Sequence, residues 1–166
     1  VATDDALPEA EPPAVLRLRA VLDAARAGYR IRRHAPTVGS ARDGVEHGLG
    51  TLAQMAPTLI LRSEQGCFAA IISGSTRLSY RKIRKRLGLR DVSLAPPDAV
   101  RAATGAEPGY VPMINPGLRT LVDERVLAES EVFGGCGAPG YALVIGGADL
   151  VRAAAADVFD FTEPRT

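Results

Sequence analysis

Lysine is nearly missing from this chain. Lys82 and Lys85 are the only two, and none occurs in the first 81 residues. Cysteine is equally scarce. Cys67 and Cys136 are too few for a disulfide framework and stand in no metal-type spacing. With His34 and His47 they could form a zinc site only by meeting in space, and nothing in their spacing favours one. No metal and no cofactor are therefore expected. No apolar run approaches the ~18 residues that span a membrane. Residues 1–13 hold four acids and no base, unlike a secretory leader. The expectation is a cytoplasmic protein with no membrane partner. Internal repeats are absent. The stretch Gly105-x-x-x-Gly109 lacks the Gly-Lys-Ser/Thr ending of a phosphate-binding loop.

What is present suits one globular domain with a sizeable core: 166 residues, 46% of them hydrophobic and 23% charged. The net charge of +1 is unevenly spread. Asp4, Asp5, Glu9 and Glu11 give residues 1–13 a charge of −4, so the rest sums to +5. Arg77, Arg81, Lys82, Arg84, Lys85, Arg86 and Arg90 place seven positive charges within fourteen residues, with no acid among them. Such a run attracts polyanions and releases their counterions on contact, although charge runs often do no more than face water.

Residues 1–13, rich in Pro, Ala and acid, read as a flexible tail. Apolar residues at helical spacing predict a helix over 14–27, stopped by Gly28. Residues 29–33 alternate as a short strand leading to His34. Thr37 or Ser40 can cap a short helix over 40–48. The β-rich runs 58–62 and 68–73 read as a hairpin. Residues 79–87 form a basic helix with Tyr80, Ile83 and Leu87 turned inward. A strand at 92–94 and a helix from Pro97 to Thr104 follow. Strands are expected at 119–122, 131–133 and 141–145, then a helix over 148–155. The segment 161–166 reads as loose. Helices and strands mix without regular βαβ alternation. That predicts a mixed α/β (α+β-like) single domain over 14–160, with a largely antiparallel mixed sheet wrapped by helices.

Two glycine-rich stretches, Gly105-Ala-Glu-Pro-Gly109-Tyr-Val-Pro112 and Gly134-Gly-Cys-Gly-Ala-Pro-Gly140, flank Asp123. Glycine lets backbone N–H groups approach a ligand closely, and such groups can hold a carbonyl that becomes an oxyanion during ester cleavage. Both stretches could equally be tight turns. Their order along the chain is more informative. His34-x-x-Thr37 comes first. Thr58-Leu59, a strand ending at Gly74 and the Lys82-Ile83 pair follow. Ala95-Pro-x-Asp98, Thr104-Gly-Ala-Glu-Pro-Gly109-Tyr-Val111, Val122-Asp-Glu124 and Gly135-Cys-Gly137 with Gly140 complete the series. Over residues 29–155 this succession resembles the YbaK/ProX family of aminoacyl-tRNA deacylases.

The resemblance implies hydrolysis of the ester of a mischarged tRNA, typically tRNA for proline carrying alanine or cysteine. It implies no metal. The partners would be aminoacyl-tRNA and, for some members, an aminoacyl-tRNA synthetase; DNA is not expected. Gly109 and its neighbouring amides would hold the carbonyl oxygen, and Asp123 would orient water or the substrate amine. His34, Thr58, Gly74, Gly105, Gly135 and Gly137 would bind substrate, and Arg77, Arg81, Lys82, Lys85 and Arg86 would meet the tRNA. Asp123 reads equally well as a structural cap, His34 as a surface residue and Thr58 as strand filling. Cys136 would need a nearby base to act as a nucleophile, and none is evident. The chain departs from the family pattern in two places. The family's lysine in a Lys-Thr-Leu run is Pro57 here, and Met113 stands where a proline commonly follows the first glycine stretch. Pro57 cannot supply an ammonium, which keeps a second reading open: a non-catalytic module that binds tRNA, a synthetase or an amino acid.

Overall fold

The structure, a computed structural model, describes residues 10–35 and 39–165. Residues 1–9 of the expected tail and the candidate cap Thr37 lie outside them. Helix α1 (Pro13–Ala24) opens on a proline in its first turn, where the fixed φ fits and the missing N–H has no intrahelical partner to lose. Its buried stripe is Val15, Leu18 and Leu22. Strand β1 (Tyr29–Arg33) follows, then α2 (Ala41–Glu46), whose cap Ser40 accepts a hydrogen bond from the Asp43 amide. A 3-10 turn at Leu52–Gln54 carries a reciprocal capping box between Thr51 and Gln54.

Strands β2 (Thr58–Ser63) and β3 (Gly66–Ile71) form the expected hairpin. They are followed by β4 (Thr76–Leu78), the basic helix α3 (Tyr80–Leu87), β5 (Val92–Leu94) and α4 (Pro97–Thr104). Ile83 is fully buried, with Tyr80 and Leu87 packed around the same cluster, so α3 turns inward the face its sequence predicts. The chain continues through β6 (Thr120–Asp123), a 3-10 turn (Glu124–Ala128), β7 (Val132–Gly135), β8 (Tyr141–Ile145), α5 (Gly147–Ala154), β9 (Asp157–Phe159) and β10 (Thr162–Pro164).

The main sheet runs β5-β2-β3-β6-β9. Its β5-β2-β3 part is antiparallel, whereas β3-β6 and β6-β9 are parallel. A second, antiparallel sheet runs β1-β8-β7, and β10 pairs with β4 in a short antiparallel ribbon. The architecture is the expected mixed, helix-wrapped single domain.

Two expectations need correction. The segment read as loose after residue 161 is structured: Thr162–Pro164 is a strand on β4, and Phe161 is fully buried against Leu61, Phe68 and Ile83. Apolar burial of one aromatic outweighed the polar look of its neighbours. The strand expected at 131–133 also runs further, into the glycines, pairing Gly134 with Leu143 and Gly135 with Ala142. Glycine inside a strand marks a close approach by another backbone, and here that backbone is the first glycine stretch.

Candidate active site

A cavity of about 310 Å³ opens between the two larger sheets. Its walls come from α2 with the loop before it (Gly39, Ser40, Ala41), the start of β2 (Pro57, Thr58, Leu59), the 109–111 loop, and the facing parts of β7 and β8. Leu49, Met55 and Phe133 form its apolar side, joined to Ala142 and Val144 in one cluster.

The glycine stretches meet at this cavity because neither could carry a side chain there. A Cβ on Gly135 would lie 2.1 Å from the Val111 carbonyl oxygen, and the Met113 amide donates to the Gly135 carbonyl at 3.0 Å. Gly109 holds φ at +90°, a left-handed conformation that disfavours other residues, and its Cα faces the Gly39 carbonyl. Met113, the departure from the family pattern, is fully buried beneath Gly134, so its bulk fills space that a second glycine leaves open.

Among the described residues lining the cavity there is no carboxylate. The titratable or charged groups are His34, Tyr110, Tyr141 and Arg165. His34 is anchored through its backbone amide to the Gly140 carbonyl at 2.9 Å, and its Nδ1 lies 2.7 Å from the Ala35 carbonyl oxygen. That contact favours the tautomer in which Nδ1–H donates and leaves Nε2 as the acceptor. Thr58 Oγ1 is buried with no hydrogen-bond partner among the described residues. Pro57 lines the cavity too, and its carbonyl accepts from the Ile72 amide at 3.2 Å.

The structure thus brings together His34, Thr58, Gly109 and Gly135. It places four other expected site residues elsewhere. Asp123 is wholly buried, accepting from the Phe161 amide at 2.8 Å and the Arg125 amide at 3.0 Å. It caps a turn and fixes a strand rather than facing the cavity. Gly105 ends α4 in a left-handed cap, Gly74 is packed against the Leu52 carbonyl, and Gly137 lies against Ala14 and Pro112. Cys136 is buried, and burial pushes its thiol up to about 12, far from a thiolate at neutral pH.

The expected tRNA-binding cations divide in two. Arg77 pairs with Glu163 at 3.3 Å, Lys82 with Asp160 at 3.0 Å, and the Arg86 guanidinium lies 5.4 Å from the Phe159 ring centroid. These three bind the 159–163 segment. Arg77 and Arg86 stay exposed despite these contacts, whereas Arg81 and Lys85 are exposed with no such partner among the described residues. Sequence reasoning missed Tyr110, Phe133, Tyr141 and Arg165 as cavity residues. Tyr110 stood inside the recognised block, whereas Arg165 gave no signal because its segment looked unstructured.

Known proteins share this fold. A crystal structure of a candidate trans-editing enzyme for prolyl tRNA synthetase superposes with a TM-score of 0.84 at 24% identity, covering 93% of this chain and 99% of that one. A hypothetical protein of known structure gives 0.82 at 25% identity, covering 89% and 99%. A proline–tRNA ligase of Syntrophotalea carbinolica is 31% identical over 86 residues, which are 51% of this chain but only 15% of the ligase. The sequence model of the aminoacyl-tRNA editing domain matches residues 35–153. With most of its length covered by that match, the chain belongs to the aminoacyl-tRNA editing domain family, as its resemblance to YbaK/ProX proteins implied.

Proposed function

We propose that the protein is a deacylase that hydrolyses the ester of a mischarged tRNA of the proline class. The observation that carries this reading is the cavity where the 109–111 loop meets Gly135, His34 and Thr58 in a chain of the editing family. An aminoacyl ester is already activated, so positioning and oxyanion stabilisation supply much of the rate. The Gly109 amide holds the carbonyl oxygen. Water attacks the carbonyl carbon, the bond to the ribose oxygen breaks, and a proton passes to that oxygen, giving a free amino acid and a tRNA hydroxyl. The buried Thr58 hydroxyl gains its missing partner from the substrate's ammonium group. His34 contacts the substrate through Nε2. Exposed Arg81 and Lys85 meet the tRNA body.

The test is ester cleavage over a panel of mischarged tRNAs, beginning with tRNA for proline carrying alanine or cysteine. The expected outcome is release of a small amino acid well above the uncatalysed rate. No turnover for any amino acid would sink the proposal. Tight binding of charged tRNA without turnover would support the binding-module reading, which the proline at position 57 and the lack of a carboxylate among the described cavity-lining residues favour.

A further inference from the structure

We infer that Arg165 is a positioning residue that grips a phosphate of the RNA 3′ end as its terminal nucleotide enters the cavity. This rests on the deacylase reading for the identity of the RNA.

Arg165 is the one guanidinium among the described cavity-lining residues, and it is exposed, which puts it at the mouth. It is held in place. Its Nε donates to the Thr76 carbonyl at 2.9 Å, and its amide reaches the Ser75 carbonyl at 3.4 Å. These contacts extend the β10–β4 ribbon, whose register sets Pro164 opposite Thr76. With Nε engaged, the two terminal nitrogens remain, and no carboxylate pairs with them among the described residues. A planar guanidinium with free terminal N–H groups suits a phosphate, which it meets through two parallel hydrogen bonds.

The surroundings favour an RNA strand over a small anion. The ribbon has three residue pairs, roughly 10 Å at ~3.3 Å per residue. At its far end the Ser79 amide donates to the Phe161 carbonyl at 2.8 Å, and Ser79 caps α3. A polyanion leaving the cavity past Arg165 therefore runs toward the basic helix. Arg165 also lies outside residues 35–153, the part matched by the family. This chain brings that cation to the site through β10.

The experiment compares wild type, R165A and R165K in two assays. The first is deacylation of mischarged tRNA with kcat and KM separated. The second is fluorescence binding of an uncharged RNA oligonucleotide ending in CCA, across a salt series. In R165A, KM should rise at least tenfold with kcat changed less than threefold. Oligonucleotide binding should weaken at least tenfold, and the slope of log K against log salt should fall by about 0.7, the loss of one phosphate contact on a single strand. R165K, which keeps the charge but not the fork, should recover part of the binding. Melting temperatures of the three proteins should agree. Unchanged KM and binding in R165A would overturn the inference. So would weaker binding with an unchanged salt slope, because that pattern marks a structural role. If wild type cleaves no ester, the deacylase reading fails alone. The binding assay still decides Arg165: weaker R165A binding upholds it, and equal or absent binding removes it.

Discussion

At β6's end, the Asp123 carboxylate accepts hydrogen bonds from two backbone amides, one of them 38 residues away at Phe161. In D123N one amide loses a charged acceptor, and a buried donor without its partner costs about 1–3 kcal/mol. The midpoint of urea unfolding should drop accordingly, while kcat/KM per folded molecule stays within twofold. A loss of orders of magnitude in kcat at intact stability would return Asp123 to the chemistry. Residues such as this mark where sequence reading stops. Gly109 and Gly135 were legible because glycine at a site of close backbone approach leaves a pattern in the sequence. A carboxylate after a strand looks the same whether it faces a ligand or a pair of amides. Arg165 was illegible for another reason: its position depends on strand pairing that spans about half of the chain.

Most elements could be read from local signals: the apolar stripe of α1, the hairpin, the inward face of α3 and the proline that opens α4. The short strands β4, β9 and β10 could not. Each has three residues, as the expected β5 does, and exists because of what it pairs with. Beside the burial of Phe161, a polar contact ties them down. Asp160, between β9 and β10, accepts from Arg125 at 2.8 Å and from Lys82 at 3.0 Å, and these partners hold its carboxyl at about 2 instead of the usual 3.8. Because the folded value is depressed, the contact stabilises the fold fully above about pH 4 and is lost as pH falls toward 2. Thermal melts of wild type and D160N should differ most at neutral pH and converge across that acidic window. A gap that persists at pH 2 would show that Asp160 acts by something other than its charge.

The whole molecule carries a net charge of only +1, so on the deacylase proposal RNA would be drawn by where the charges lie. Arg81 and Lys85 are exposed on α3, whereas Arg77 and Lys82 are paired within the fold. Charge reversal in R81E/K85E should therefore weaken tRNA binding and lower its salt slope by roughly 1.5–2, about one contact per residue. Reversing Arg77 should lower it less. An unchanged slope in the double variant would mean that α3 faces water alone. The fold's connectivity also has a consequence in time. Strand β10 pairs with β4 across a separation of 86 residues between Arg77 and Glu163. At ~5–20 residues per second, a ribosome takes roughly 4–17 s to add that many residues. During that interval β4 waits as an unpaired edge. The cavity's last wall residue, Ala142, precedes Arg165 by only 23 residues, so pocket and guanidinium are made almost together, long after β4.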